Sequence, residues 1–345
     1  MTIRIALASP FTLPFYCGNS ILADRLKKGL HSRGYHVSLF NTSENKPAQA
    51  VKFSPHIIHS FNAQRPYKWI TQFRDLYKIP WVITLTGTDY NSWVGTKDTP
   101  FHIQKSLEEA DVLVVFHGEA LHILADSLPQ LKHKIKIIPQ GISPLTEDHN
   151  IAATRKKYRI HADHIVFLMV SGIRPVKNIQ CAIDAFYQIE NHIPKVTLLH
   201  VGPVFDRAEA DRVLYQGKKA KCFRYLGELS PKDIRELMGA SDVFLNTSFH
   251  EGMSCAILEA MAEGLPVLAS NGAGNRSLVQ EGINGLCFPV DDRKALVHSA
   301  IRLARDSLLR KNMGKASKHI IADYHSEKKE MDLYEDIYKR LLQKK

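Results

Sequence analysis

The stretch FHEGMSCAILEAMAEGLPVLAS places two carboxylates around an otherwise apolar segment. Glu251 and Glu259 bracket seven small or apolar residues. The preceding DVFLNTS has the composition of a buried strand, and SCAILEAMAE that of a helix which Ser254 would cap and Gly264 would end. Glu251 is therefore expected in a loop at the end of a strand, and Glu259 more than one turn inside the helix. Glutamates in such places either face water or bind a ligand, and these residues alone leave both readings open.

A loop carboxylate and nearby unpaired amides suit the polar groups of a ligand. Glu251 and the loop amides of Gly252, Met253 and Ser254 could bind the hydroxyl groups of a sugar. Glu259 could bind a diol such as a ribose. The apolar residues between the two glutamates would face the core and fix their separation.

Two cations follow directly on the first predicted strand of the second half, in SGIRPVKN. Arg174 and Lys177 are three residues apart, with Pro175 restricting the loop between them. Two cations at the carboxyl end of a strand are suited to clamping a diphosphate. A basic surface loop is the alternative.

A glycine follows the first strand of the chain, in YCGNS. Gly18 stands where a strand turns into a helix, and the first amides of a helix carry partial positive charge. A phosphate can dock on such a turn when no Cβ blocks its approach. The segment is not a dinucleotide fingerprint or a P-loop, so a plain turn glycine is the alternative.

The elements that must position these residues alternate between apolar strands and amphipathic helices. Six strands are predicted in the first half, beginning with IRIALAS, and a second series of five begins at HIVFLMVSG. This alternation predicts an α/β fold with two doubly wound sheets and a cleft at the carboxyl ends of their strands. We assign residues 1–145 to the first domain, 146–163 to a polar linker, 164–322 to the second domain and 323–345 to a final helix that packs back toward the first domain.

Composition is that of a globular protein, with 44% hydrophobic and 23% charged residues. No apolar run reaches the ~20 residues that cross a bilayer, and the first residues read as a strand rather than a signal peptide. The five cysteines form no CxxC pair, which predicts reduced thiols in a cytoplasmic protein. The histidines show no familiar metal-binding spacing, so we expect no metal site.

The net charge of +11 favours anionic partners. Basic runs such as TRKKYR lack the interleaved aromatic residues of a nucleic-acid site, and we expect no nucleic-acid partner. Peripheral contact with an anionic membrane at its cytoplasmic face is a hypothesis that the charge allows.

The glutamate pair also carries a resemblance. EGMSCAILEA resembles the E-x7-E motif of the retaining glycosyltransferases of family 4. GIRPVK upstream, and GLPVLASNGAGN downstream, occur in the same order as in the subgroup of glycosyltransferase-1-domain-containing proteins. The resemblance covers residues 164–290, and less specifically GN, LTGTDYN and IIPQGI in the first half.

The resemblance implies the GT-B fold, with an acceptor-side first domain and a second domain that binds a nucleotide-diphosphate sugar. Arg174 and Lys177 would hold the diphosphate, and Glu251 would contact the sugar; these three would be the catalytic residues. The remaining donor contacts implied are Gly18, Asn19, Leu226, Gly252, Met253, Ser254 and Glu259.

The first domain departs from the family pattern at one position. Many members have a histidine in a T-x-H-G segment, where this chain has Thr86 in TLTGTDYN. The role of that histidine cannot be transferred, and Thr86 and Asp89 become the candidates for contact with the sugar or the acceptor.

The sequence therefore predicts a metal-independent glycosyltransferase, without a cofactor, that moves a sugar from a nucleotide-diphosphate sugar to a glycan, lipid-linked or small-molecule acceptor with retention of configuration. An epimerase or phosphorylase on the same fold, and a non-catalytic nucleotide-sugar-binding protein, stay open as alternatives. The motifs do not specify the sugar, the base, the acceptor or the oligomeric state.

Overall fold

The computed structural model describes residues 2–87, 89–91, 99–142 and 150–343, and the chain forms two compact units. The first unit is Met1–Gly141 together with Ser326–Lys345, and the second is Ile142–His325. The segment predicted as a linker, 146–163, contains a helix at Ile151–Lys157, which belongs to the second unit. Residues 146–149 of that segment lie outside the described residues.

The first unit contains a six-stranded parallel sheet. Its strands are β1 (Arg4–Ser9), β2 (His36–Asn41), β3 (Ile57–Phe61), β4 (Trp81–Thr84), β5 (Val112–Val115) and β6 (Ile135–Ile137). They lie in the order β2-β1-β3-β4-β5-β6. The order reverses at β1 and β3, where Leu7 is in register with Leu39 on one side and His59 on the other. Ligands of doubly wound sheets bind at the carboxyl ends of the strands at such a reversal.

Helices cover this sheet. They are α1 (Gly18–His31), α2 (Pro47–Phe53), α3 (Tyr67–Thr71), α4 (Arg74–Tyr77), α5 (Phe101–Glu109) and α6 (Gly118–Ser127), with a 3-10 turn at Pro129–Lys134. Every residue of β3 is buried. Because successive strand residues point to opposite faces, both faces of the sheet are covered. The core is rich in aromatic residues, including the fully buried Trp81.

The second unit repeats the plan with a different strand order. Its strands are β7 (Ile165–Val170), β8 (Val196–Val201), β9 (Phe223–Tyr225), β10 (Val243–Asn246), β11 (Val267–Ser270) and β12 (Gly285–Phe288). The order is β12-β11-β10-β7-β8-β9, all parallel, and it reverses between β7 and β10. The predicted α/β class with two doubly wound sheets is confirmed. Strand β12 was not predicted, because its four residues begin with glycine and follow a loop-like polar segment.

Helices of the second unit pack on its sheet through one apolar core. They are α7 (Ile151–Lys157), α8 (Ile179–Ile189), α9 (Arg207–Gly217), α10 (Pro231–Gly239), α11 (Cys255–Glu263), α12 (Ala273–Arg276), α13 (Arg293–Arg305) and α14 (Ser307–Tyr324), with a 3-10 turn at Pro175–Lys177. The core is centred on β7 and α8, where Phe167 and Phe186 meet edge to face at 5.0 Å.

The final helix, α15 (Glu327–Gln343), belongs to the first unit. Tyr334 and Tyr338 are fully buried, and the Tyr338 hydroxyl lies 2.6 Å from Nδ1 of the buried His59. The Glu330 carboxylate accepts hydrogen bonds from Nε and Nη2 of Arg25, both at 3.1 Å. A buried polar and ionic contact of this kind fixes the position of the helix on the sheet.

None of the helices among the described residues is long and apolar enough to cross a bilayer.

Candidate functional site

Two loops meet at the reversal point of the second sheet, one after β7 and one after β10. Thr247 Oγ1 donates to the carbonyl oxygens of Lys177 (2.9 Å) and Asn178 (3.0 Å). The amide of Phe249 donates to the carbonyl of Val176 at 2.9 Å. These bonds tie the 3-10 turn that carries Lys177 to the loop that leads to Glu251. The structure thus brings together residues that the sequence predicted separately.

Lys177 and Glu251 form an ion pair. Lys177 Nζ lies 2.6 Å from Glu251 Oε1, and the two side chains are only 13% and 11% exposed. The same oxygen accepts from Ser248 Oγ at 2.7 Å and from Asn246 Nδ2 at 3.3 Å. Burial by itself would raise the pKa of the Glu251 carboxyl, but the Lys177 charge and these hydrogen bonds outweigh it and lower the pKa. Glu251 is therefore ionised at neutral pH.

A buried amide network lies under the Glu251 loop. Asn275 Nδ2 donates to Asn246 Oδ1 at 3.2 Å and to the Ser270 carbonyl at 3.0 Å. Asn246 Oδ1 also accepts the amide of Ser248 at 3.0 Å. Because Asn246 in turn donates to Glu251, the carboxylate is held by residues at the ends of β10 and β11 and by α12. The polar ending of DVFLNTS and the GN after PVLAS were the sequence signals of this network, and sequence reasoning did not connect them.

Gly274 allows α12 to approach this loop closely. A Cβ on Gly274 would come within 2.5 Å of the Glu251 carbonyl oxygen and 2.9 Å of its Cβ. No side chain can be accommodated there without a shift of backbone.

Arg174 stands at the start of the 3-10 turn, partly buried. Its Nε is buried without a hydrogen-bond partner among the described residues. A buried cationic N–H without an acceptor is costly, and an anionic ligand would satisfy it. The orphaned donor stands at the start of the 3-10 turn that carries Lys177, on the loop that follows β7.

His250 is a residue that sequence reasoning missed. Burial lowers the pKa of its imidazole, the Glu251 carboxylate raises it, and the Lys177 and Arg174 charges lower it further. The net effect is a lowered pKa, so the neutral imidazole predominates at pH 7, and its titration responds to the charges of all three ionic residues of the site. Its position directly before Glu251 was the available signal.

The helix after the loop forms as its sequence predicts. Ser254 caps α11 by accepting the amide of Ile257 at 3.4 Å, and Gly264 ends the helix in the left-handed conformation at φ 86°. Leu258 is fully buried, whereas Glu259 is partly exposed on the same helix. Gly252 and Met253 are buried in the loop.

Leu226 directly follows β9, which lies on the opposite side of β7 from β10 in the sheet. Its amide donates to the carbonyl of His200 at 2.9 Å, and its side chain is partly exposed. The neighbouring Tyr225 hydroxyl donates to the Gly202 carbonyl at 2.6 Å. The loops after β8 and β9 are thereby held together at the carboxyl edge of the second sheet.

The other predicted site residues belong to the first unit. Gly18 is exposed and begins α1, with Asn19 next to it. A Cβ on Gly18 would meet no atom within 4 Å, so the space in front of this turn is open. This turn follows β1, at the reversal point of the first sheet.

Asp89 is buried below the loop that follows β4. Its carboxylate accepts the amides of Gly87 (2.9 Å), Thr86 (3.2 Å) and Ala63 (3.2 Å). Burial raises the pKa of this carboxyl to about 6, although the backbone hydrogen bonds act to lower it. The carboxylate thus organises the loop that presents Thr86, which is partly exposed.

Comparison with known proteins assigns a class to these two units. Residues 150–320 match the family model described as glycosyl transferases group 1. The structure is similar to that of HepE from Anabaena, solved with UDP and glucose, at a TM-score of 0.79 and 17% identity over 98% of this chain and 100% of that one. Residues 150–320, all within the second unit, are thus those of a group 1 glycosyltransferase, and the predicted GT-B class of fold is confirmed.

Two named proteins are similar to this chain in sequence. The chain is 27% identical over 330 residues to glycosyltransferase 1 domain-containing protein 1 of Xenopus tropicalis, covering 93% of this chain and 94% of the relative. It is 29% identical over 243 residues to the UDP-Gal:alpha-D-GlcNAc-diphosphoundecaprenol alpha-1,3-galactosyltransferase of Escherichia coli, covering 66% and 59% of the two chains. The subgroup that GIRPVK, EGMSCAILEA and GLPVLASNGAGN resemble together is the one to which the Xenopus relative belongs by name.

Proposed function

We propose that this glycosyltransferase uses a nucleotide-diphosphate sugar, works without a metal ion and retains the configuration at the transferred carbon. The observation that carries the proposal is the buried, unpartnered Nε of Arg174 beside the Lys177–Glu251 pair. Two cations at the strand ends would stabilise the charge that grows on a departing diphosphate, the task for which other enzymes use a metal ion.

Each predicted site residue of the second unit then has a role in donor binding. Arg174 and Lys177 hold the diphosphate, while Glu251, fixed as a carboxylate by Lys177, accepts hydrogen bonds from sugar hydroxyl groups. The amides of Gly252, Met253 and Ser254 contact the same sugar, Glu259 binds the ribose and Leu226 lies near the base. The UDP and glucose bound to HepE, and the UDP-Gal named for the Escherichia coli relative, support a uridine nucleotide as the first donor to test.

The first unit supplies the acceptor side in this proposal. The amides of the open turn at Gly18 and Asn19 are the phosphate contacts proposed for the first unit. Thr86 contacts the sugar or the acceptor, and Asp89 acts by holding the Thr86 loop in place. A carbohydrate or lipid-linked acceptor is supported by the diphosphoundecaprenol substrate named for the Escherichia coli relative.

Contact with an anionic membrane surface belongs to the same proposal, supported by the net charge of +11. Co-sedimentation with vesicles tests it: binding to acidic but not to neutral vesicles is expected. Equal, negligible binding to both would remove the membrane from the account.

The enzymatic proposal is tested by turnover of a labelled donor. Arg174→Ala should lower turnover by about two to three orders of magnitude, as expected for loss of a charged transition-state partner. Lys294→Ala, an exposed lysine of α13, is the matched control and should keep full activity. Equal turnover in the wild type and Arg174→Ala would refute the diphosphate site. Conversion of the donor into another sugar in the absence of acceptor would instead identify an epimerase.

A further inference from the structure

The four residues before β7 read His161-Ala162-Asp163-His164, and their side chains gather at the surface of the second unit. Potential ligand atoms of His161, Asp163 and His164 all lie within 4.8 Å of one another. The two imidazole rings stack at 4.7 Å with an angle of 30° between their planes. Sequence reasoning missed this group because the spacing matches no familiar metal motif and the residues meet only through a tight turn.

The backbone of this turn is held from below by one guanidinium group. Arg155 Nη1 donates to the carbonyl oxygens of His161 (3.3 Å), Ala162 (2.9 Å) and His164 (3.1 Å). Arg155 is itself anchored to Asp242 by Nη2 at 3.0 Å. The amide of His164 donates to the carbonyl of His161 at 3.2 Å, which closes the turn. The three side chains are thus attached to a backbone that is already ordered.

One imidazole is also oriented by a second contact. His164 Nδ1 lies 2.9 Å from Thr197 Oγ1, at the start of β8. In the tautomer in which Nδ1–H donates to this hydroxyl, Nε2 is free to coordinate, the arrangement by which proteins usually orient a histidine toward a metal.

We propose that His161, Asp163 and His164 bind one divalent transition-metal ion of the zinc class. Two imidazoles and a carboxylate are a ligand set that zinc accepts, with water completing the shell. Tetrahedral zinc ligands are about 3.4 Å apart at bond lengths near 2.1 Å, so side-chain rotations would have to bring the ligand atoms somewhat closer than the observed 4.8 Å limit. Histidine and Asp163 ligands of this kind disfavour magnesium, which prefers oxygen atoms and water.

An ion would have to displace one competing contact. Lys195 Nζ lies 2.7 Å from Asp163, but the two side chains are 68% and 58% exposed. Exposed ion pairs contribute little, so Lys195 yields to a divalent ion at small cost.

The site lies at the opposite edge of the sheet from Lys177 and Glu251. The turn precedes β7, and both Thr197 and Asp242 stand at the beginnings of their strands, whereas the donor residues follow the ends of β7 and β10. An ion here fastens the turn between α7 and β7 and does not touch the nucleotide. It is therefore expected to stabilise the second unit without changing donor affinity.

Calorimetric titration of zinc chloride into the tag-free, chelator-treated protein tests the proposal. One ion per chain should bind, the melting temperature should rise, and magnesium chloride should do neither. His161→Ala, at an exposed position, should lower zinc affinity at least about tenfold, as should His164→Gln. His298→Ala, an exposed histidine of α13, should bind zinc like the wild type.

The outcomes separate this site from the donor site. Lys195→Ala should bind zinc at least as tightly as the wild type, because it removes the competitor. Undiminished zinc binding by the double variant His161→Ala/His164→Gln, folded by circular dichroism, would overturn the proposal. So would the absence of zinc binding to the wild type. A change in nucleotide affinity on adding zinc would contradict the placement of the ion away from the donor.

Discussion

Replacing Lys177 by methionine would leave Glu251 as a buried carboxylate without its cation. The side chain of Glu251 is 11% exposed, and the hydrogen bonds from Ser248 (2.7 Å) and Asn246 (3.3 Å) would remain. Removing one partner of a buried ion pair costs about 3–5 kcal/mol. Because these hydrogen bonds still stabilise the carboxylate, we place this site at the lower end, about 3 kcal/mol. For a domain of this size the melting temperature should fall by about 6–12 °C.

The double variant Lys177→Met/Glu251→Gln is the matched control. It removes both charges, and the glutamine can still accept from Ser248 and Asn246. It should therefore recover most of the stability lost in Lys177→Met, while remaining inactive. Urea denaturation and thermal unfolding of the wild type, both single variants and the double variant give the coupling between the two side chains.

The pH dependence of stability independently checks the direction in which Lys177 shifts the pKa of Glu251. In the wild type the pKa of Glu251 is lowered, so its contribution is present above its ordinary pKa and is lost as pH falls through the folded-state value. In Lys177→Met burial acts without the opposing cation and raises the pKa, so the deficit should shrink as pH falls and the carboxyl takes up a proton. The reasoning would be refuted if Lys177→Met were as stable as the wild type, or if the double variant were no more stable than Lys177→Met.

Three further outcomes are expected. Gly274→Ala should destabilise the protein by about 1–3 kcal/mol, since its Cβ would approach the Glu251 carbonyl oxygen to 2.5 Å. Gly18→Ala should leave stability intact and weaken binding of the donor. Equal melting temperatures for the two variants, or unchanged donor affinity in Gly18→Ala, would contradict this. Glu259→Ala should weaken binding of the nucleoside diphosphate in calorimetry, and unchanged affinity would remove its assignment to the ribose. Burial lowers the pKa of His59 to about 3, so the first unit should lose about 1.4 kcal/mol of stability per pH unit as pH falls from about 6 toward 3. When the free energy of unfolding, measured with urea, is plotted against pH, the slopes for the wild type and His59→Gln should differ by the equivalent of one proton in this range. Parallel plots would speak against a buried neutral imidazole.

Local signals predicted the frame of the site. Alternating apolar strands and helices gave the two sheets, and the cap at Ser254 and the glycine at Gly264 set the limits of α11 because both act on the chain within a few residues. The carboxyl ends of β7 and β10 then placed Arg174 and Glu251 at the same edge of one sheet.

The pairing of side chains could not be predicted in this way. Lys177 and Glu251 are 74 residues apart, and nothing local indicates that one neutralises the other. The same holds for the amide bond between Asn246 and Asn275, which depends on the approach of α12 to the loop after β10. Asp89 shows the converse: its type suggested a ligand contact, whereas its observed partners are backbone amides that shape the loop.

The central claim is that Arg174 donates to the diphosphate of a bound nucleotide, and affinity for a matched pair of nucleotides tests it most directly. UDP and UMP should be titrated into the wild type and Arg174→Ala by calorimetry, with GDP and ADP used where UDP does not bind. The wild type should bind the diphosphate much more tightly than the monophosphate. In Arg174→Ala that preference should fall by about tenfold or more, at unchanged melting temperature, because the side chain has no protein partner at Nε among the described residues. An undiminished preference for the diphosphate in Arg174→Ala would contradict the account.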